Sequence, residues 1–186
     1  MLCYNMNLIL ACDEKFGIGI DNRLPSWNIK EDMMRFKNIT TSNHHNAVIM
    51  GKNTYYSLGE KALPKRFNIV VSNTLFQKYC KNNDDKYCKH NKFVFCRDME
   101  SSIDIAKSIT SIWDDGEIWI IGGAILYEYV IKKYKINKLY LTKVHNDYQC
   151  NTTLGPNTIK FIENTLWSKI EKKNNYTFYY FNKNYR

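Results

Sequence analysis

Proline and glycine are scarce in this chain, at 3 and 8 of its 186 residues, and nowhere do they collect with serine into a linker. No internal repeat is present either, so a single domain spanning residues 1–186 is expected. Long apolar runs are missing. Ile118, Trp119, Ile120 and Ile121 form one of the longest, far below the roughly 18 residues that a membrane-spanning helix needs. The six cysteines (Cys3, Cys12, Cys80, Cys88, Cys96 and Cys150) include no CxxC pair. The spacing of Cys80, Cys88 and His90 is not that of a zinc site, and the adjacent His44 and His45 would not share a helix face. No metal is expected. The first six residues lack a basic stretch leading into a long apolar one, which is the signal-peptide pattern. The expectation is a cytoplasmic protein with free thiols. The GxGxxG fingerprint of ordinary dinucleotide-binding folds is also absent.

What is present describes a folded chain. Hydrophobic residues make up 44% and aromatic residues 15%, too much for a disordered polymer and enough for a core that needs no staples. The net charge is +9, from 27 basic and 18 acidic residues. Because the lysines are scattered, the surplus reads first as a solvated surface, compatible with anionic ligands, nucleic acid or a membrane surface. No RRM, KH or zinc signature accompanies it, so nucleic acid is not the expected partner.

Short apolar runs at 7–11, 47–50, 67–71, 93–95, 117–121 and 138–144 read as buried strands, and the aromatic run 176–181 as a strand covered on both faces. Helical patterns occupy 28–37, 51–58 and 101–109, the last with serine at its start, and a further helix follows Gly123 with Tyr127, Val130 and Ile131 on one face. The polar stretch 80–91 reads as an exposed loop. Strands alternating with helices predict an α/β fold, a largely parallel sheet covered on both faces. Ligands of such sheets gather beyond the carboxyl ends of the strands.

Two strand-to-helix turns there have the form of phosphate cradles: Gly51, Lys52, Asn53 and Thr54, and Gly122, Gly123 and Ala124 through Tyr127. Glycine admits a ligand close to the backbone, and helix-start N–H groups favour anions. Read alone, these glycines equally well serve tight turns. Asp32 lies beside the stripe Ile29, Met33 and Phe36, where lost solvation would raise its pKa and fit it to act as an acid; a solvated position on the outer helix surface accounts for it as well. Thr142, two-thirds along a predicted strand, carries a hydroxyl suited to hold such a carboxyl, but the sequence does not bring the two together. Arg66 is suited to clamp a carboxylate, or simply to sit in a solvated loop. Trp27 after the Pro25-Ser26 turn is explained equally by plain packing.

Taken in order, the pieces resemble one family. They are Gly17 to Pro25 with Trp27; Glu31 and Asp32 through Lys37; Val48 to Thr54; Ser57 and Leu58; Leu63 to Arg66; Asn68 to Ser72; Ile120 to Ala124 with Tyr127; and Leu139 to Thr142. Each is weak alone, but the ordered set, spread over nearly the whole chain, resembles the dihydrofolate reductases.

The resemblance implies a three-layer α/β/α domain. Its mostly parallel mixed sheet would have about eight strands, the C-terminal one antiparallel, flanked by about four helices. It implies NADPH-dependent reduction of 7,8-dihydrofolate, with hydride passing from nicotinamide C4 to pterin C6 and protonation at N5, in support of one-carbon metabolism and thymidylate synthesis. Antifolates such as methotrexate would bind, and the protein would be a monomer. By the same resemblance Asp32 holds the pterin and promotes protonation, Thr142 braces it, Trp27 orders a water, and Leu24 and Tyr127 complete the catalytic set. Ile9, Ala11, Met33, Phe36, Leu58, Leu63 and Ile121 would line the substrate pocket, and Arg66 would hold the glutamate-tail carboxylate. Cofactor contacts would come from Ala11, Ile18, Gly19 and Ile20, and from Gly51, Lys52, Asn53 and Thr54. Ser72, Asn73 and Arg97 would add to them, with Lys52, Ser72 and Asn73 around the 2′-phosphate. The second turn, Gly122, Gly123, Ala124, Ile125, Leu126 and Tyr127, would complete the set. The family's paired glycines, here Gly122 and Gly123, are joined by a cis peptide, and the loop 13–24 corresponds to a mobile lid.

The chain departs from the family pattern at Ser26, which separates Pro25 from Trp27, and at Lys52, where arginine is common. Ile125 stands where some members place a basic residue, and 150–155 lacks the usual acidic and aromatic residues. A related reductase acting on a pyrimidine shares this fold, but Asp32 together with Arg66 fits a pterin with a carboxylate tail. An inert binding protein on the same fold would not need Asp32 and both cradles.

Overall fold

The computed structural model describes residues 5–43, 45–82, 85–113 and 115–184. Cys3 and His44 lie outside the described residues. In chain order, β1 (Asn5–Cys12) and the short β2 (Gly17–Gly19) precede α1 (Lys30–Thr40), β3 (Ala47–Gly51) and α2 (Lys52–Ser57). Next come β4 (Phe67–Val71), α3 (Asn73–Tyr79), β5 (Tyr87–His90), β6 (Phe93–Cys96) and α4 (Met99–Thr110). The chain continues through β7 (Ile118–Gly122), α5 (Ala124–Lys133), β8 (Lys135–Val144) and β9 (Thr152–Thr153). It closes with α6 (Pro156–Glu163), β10 (Lys169–Lys172) and β11 (Tyr176–Asn182).

The apolar runs pair as expected of strands buried on both faces. All five residues of β3 are buried, and β3 lies parallel between β7 and β4. Among the described residues the main sheet has nine strands, in the order β10-β11-β8-β1-β7-β3-β4-β6-β5. Its middle is parallel; β11 runs antiparallel to β8, and β5 and β10 are antiparallel edges. Side chains alternate across it. Leu8, Ile49, Ile120 and Leu139 enter one core with Ile103 of α4, Val130 of α5 and Ile162 of α6. Val48, Met50 and Trp119 enter the other, with Tyr55 of α2, Leu75 and Phe76 of α3, and Phe36 and Ile39 of α1. Helices thus cover both faces, giving the expected three-layer α/β fold.

Several local expectations need correction. The first helix begins at Lys30 rather than at 28, because Asn28 takes a left-handed φ of 41° and Ile29 is extended. The serine start predicted for the helix at 101–109 is replaced by an aspartate cap, with α4 beginning at Met99 and the Asp98 carboxylate accepting from the Ser101 N–H at 2.8 Å. The stretch 80–91 is not simply loop. Its second half forms β5 against β6, and Cys80 is joined to Cys88 by a disulfide, with Cα atoms 5.6 Å apart. The expectation of free thiols therefore fails for this pair, whereas Cys12, Cys96 and Cys150 are free. An edge strand with one neighbour and mostly exposed side chains lacks the apolar signature that marks a central strand. The helices α3 and α6 and the strands β2, β9 and β10 also went unpredicted. Of the described residues, no helix is long and apolar enough to cross a membrane.

Ile120 is 0% exposed at the centre of the sheet, and Leu166 is 90% exposed. Ile120→Ala is expected to cost about 2–5 kcal/mol of unfolding free energy, and Leu166→Ala less than about 0.5 kcal/mol, as read from urea denaturation midpoints.

Candidate active site

Where β1 and β7 end, their last residues leave a cavity of about 160 Å³ closed by α1, α2 and α5. Ile9, Ala11 and Ile121 supply apolar walls from the strands, Phe36 from α1 and Leu58 from the end of α2. The only acidic side chain among the lining residues is Asp32.

Asp32 sits in the first turn of α1, and Thr142 of β8 donates its hydroxyl to the carboxylate at 2.5 Å. The juxtaposition that sequence left open is therefore made by the tertiary structure. Burial pushes the Asp32 carboxyl above its ordinary pKa, opposed by the Thr142 hydrogen bond and by the positive charge of Arg35. The inward face of α1 consists of Asp32, Arg35, Phe36, Ile39 and Thr40. Met33, expected on a buried stripe, is instead 54% exposed. It lines the cavity at its open side, as does Leu24.

The two glycine turns meet beside this carboxyl. Gly122 has a φ of 127°, and a Cβ there would lie 3.0 Å from the Thr54 hydroxyl and 3.4 Å from the Tyr127 hydroxyl. A Cβ on Gly51 would lie 3.4 Å from Leu126 and 3.7 Å from the Gly123 nitrogen. The turns are thus close-packed to each other, and only glycine suits the second. The Gly122–Gly123 peptide is cis. Gly123 caps α5 without a side chain, so the first-turn N–H groups keep their positive end available to an anion. Tyr127 is 3% exposed; its hydroxyl donates to the Ile9 carbonyl at 2.8 Å, and burial pushes its pKa up.

The segment 13–24 is tied down by a residue that sequence reading passed over. Asp13 is 0% exposed, and its carboxylate accepts from the backbone N–H groups of Lys15, Gly17 and Tyr148 at 3.0, 2.7 and 3.1 Å. β2 pairs with β9, and Asp21 and Asn151 exchange two hydrogen bonds, at 3.1 and 2.7 Å. Within the stretch 150–155, atypical by sequence, Asn151 to Thr153 thus partner the segment 17–21. Trp27 lines the cavity and meets Tyr148 edge-on at 5.4 Å.

Ile18 and Thr54 also face the cavity, with Leu10 and Ser57, two lining residues not expected in the site. Other expected site residues lie outside its lining. Arg66 donates to the Thr40 hydroxyl at 2.6 Å and to the Pro64 carbonyl at 3.0 Å, and its guanidinium lies 5.7 Å from the Phe36 ring. It therefore stands behind a cavity wall. Leu63 is fixed by Asn68, which holds both its N–H and its carbonyl at 2.9 Å. Ser72 caps α3 by accepting from Leu75 at 3.2 Å, with Asn73 the first helical residue. Arg97 packs over Phe76 at 4.8 Å. Lys52 and Asn53 open α2, and Ala124 and Ile125 open α5, Ile125 being 83% exposed. Leu126 is buried in the core. Gly19 ends β2, and Ile20 bridges to Arg23.

A mostly parallel sheet with a single-carboxyl cavity and paired glycine turns at its carboxyl ends defines a class: an α/β protein built to hold an anionic ligand across its strand ends. The family model for dihydrofolate reductase matches residues 5–184. The dihydrofolate reductase of Drosophila melanogaster is 34% identical over 152 residues, covering 78% of this chain and 76% of that protein. The dihydrofolate reductase of Schistosoma mansoni is 33% identical over 176 residues, covering 90% and 82%. A bifunctional dihydrofolate reductase-thymidylate synthase of Acanthamoeba polyphaga mimivirus is 32% identical over 183 residues, covering 89% of this chain but 28% of that protein. The chain belongs to the dihydrofolate reductase family, and its activity is that of an oxidoreductase acting on dihydrofolate.

Asp32 binds its proton more tightly folded than unfolded, so its contribution to stability is full at acid pH. That contribution is lost as pH rises from the ordinary carboxylate range through the folded-state titration. Asp32→Asn is therefore expected to raise the urea midpoint at pH 8 relative to the parent, with the gain shrinking towards pH 4.

Proposed function

We propose that this chain reduces 7,8-dihydrofolate to tetrahydrofolate with NADPH, working as a monomer, and that Asp32 governs the proton. The observation that carries this reading is the lone carboxyl, held by Thr142 in an otherwise apolar cavity that adjoins the paired glycine turns. A carboxylate accepts hydrogen bonds from a pterin's amino and ring N–H groups. Thr142 fixes one oxygen and orients the other. The apolar surroundings desolvate the carboxyl, which strengthens this pairing and raises its affinity for its proton. Asp32 then promotes proton delivery to N5 through a water ordered by Trp27 while the hydride reaches C6, so that the N5–C6 double bond of dihydrofolate becomes a single bond.

The cradle fits a dinucleotide. Backbone N–H groups at Gly51 to Thr54 and Gly122 to Leu126 would hold the phosphates, and Lys52, Ser72, Asn73 and Arg97 would surround the 2′-phosphate. When bound, NADPH supplies the hydride. Tyr127, anchored to the Ile9 carbonyl, walls the region between the two ligands. Arg66 would clamp the substrate's tail carboxylate; it forms no ion pair among the described residues, and Thr40 and Pro64 already set its direction.

The test is NADPH oxidation followed by absorbance, which should require dihydrofolate and stop with methotrexate; oxidation indifferent to dihydrofolate would refute the reading. Asp32→Asn is expected to lower turnover at pH 7 by roughly 10²–10⁴-fold, with the deficit narrowing as pH falls and solvent supplies the proton. Arg66→Leu should weaken dihydrofolate binding by about tenfold or more while leaving NADPH binding within about twofold, by fluorescence titration.

A further inference from the structure

One turn beyond Asp32 on α1, Arg35 turns inward against the sheet. Its Nη1 donates to the Leu141 carbonyl at 3.4 Å and its Nη2 to the Tyr179 carbonyl at 3.2 Å. Leu141 and Tyr179 are register partners across β8 and β11, so the guanidinium fork closes over a single rung. The same group lies 4.2 Å from the Phe178 ring and 5.2 Å from the Tyr140 ring. Phe178 is in turn the rung partner of Thr142, the residue that holds Asp32. Among the described residues Arg35 forms no salt bridge. A permanent cation is thus held by carbonyls and aromatic faces, close enough to act on Asp32 but not paired with it.

We propose that Arg35 is a positioning residue for the reaction: its fixed charge, held over the β8–β11 rung by carbonyls and aromatic faces, sets the pH at which the Asp32 carboxyl ionises. This rests on the role given to Asp32 under the proposed function. The cavity lining does not include Arg35, so it acts only through Asp32. Tyr127 from α5 and Tyr176 from β11 also act on Asp32. Tyr140 from β8 and Glu171 from β10 act on Arg35. Burial pushes the Tyr127 and Tyr140 phenols up, and its bond to Glu31 pushes Tyr176 up to about 12. Lys173 holds Glu171 below the usual carboxylate range. None of these four changes charge near neutral pH, which leaves Arg35 to set the local field there.

The experiment compares Arg35→Lys with Arg35→Gln. Both lose the two-armed fork, and only the second loses the charge. Asp32 is titrated by carboxyl ¹³C NMR in the ligand-free protein, its resonance identified by its absence from Asp32→Asn. The pH dependence of kcat/KM is measured in parallel. Arg35→Gln is expected to move the Asp32 midpoint up by about one pH unit, and Arg35→Lys by less than about 0.3. The kinetic midpoint should follow, extending activity to higher pH, with the low-pH plateau falling by only a few fold. Should Arg35→Gln not fold, Arg35→Met, whose stem still covers Phe178, carries the neutral arm. An unmoved midpoint in the neutral variant, equal movement in the lysine variant, or loss of plateau without a shift would overturn the proposal; failure of both neutral variants to fold while Arg35→Lys folds would equally reduce Arg35 to a structural anchor. Absence of dihydrofolate-dependent turnover in the parent would instead defeat the functional reading, since the NMR arm does not depend on it.

Discussion

The contact between Asp32 and Thr142 is the constraint on which the site depends. It joins α1 to β8 across the opening at the sheet's carboxyl end, and the cavity is the space this junction leaves open. A buried carboxyl without a partner would be costly, and one neutralised by a direct ion pair would have little affinity for a proton at neutral pH. The structure does neither. A neutral hydroxyl holds the carboxyl, apolar walls desolvate it, and the nearest cation is turned onto backbone carbonyls. Those conditions together raise the carboxyl's affinity for its proton above that of an ordinary aspartate.

Around that contact, the fold supplies rigidity where ligands approach. The strands that end at the cavity are central ones, parallel and buried on both faces, with little freedom to shift. The glycine turns follow directly from two of them, so backbone is presented to the ligand from the most constrained part of the molecule. The segment 13–24 is fixed differently. Its base is ordered by the buried Asp13 carboxylate, which accepts backbone N–H groups from both this segment and the one beyond β8. Its outer part is held only by short pairing with β9 and the exposed Asp21–Asn151 bonds.

Central strands were legible because covered strands carry continuous apolar runs, and 47–50 and 67–71 fall within β3 and β4. Edge strands β5 and β10 were not, since one-sided pairing and mostly exposed side chains leave a polar, loop-like composition. Asp32 was legible as a candidate but not its direction, because helical spacing placed Met33 on the same buried stripe and Met33 proved exposed. Asp13 and Arg35 carried no local signal. One is a lone acid before a loop, the other a basic residue on a helix, and each acquires its role from chain more than 100 residues away.

By itself, the sequence determined the layered α/β class, the central strands, the glycine turns and, through the order of its motifs, the family. These follow from local physics: apolar periodicity, the conformational freedom of glycine and the residues a turn requires. The tertiary structure alone decided that Thr142 meets Asp32, that Arg35 faces the sheet rather than solvent, that Arg66 stands behind Phe36, and that Cys80 reaches Cys88. Each depends on register and crossover between segments, and a one-residue slip in β8 against β11 would turn Thr142 to the other face and leave the carboxyl without its partner.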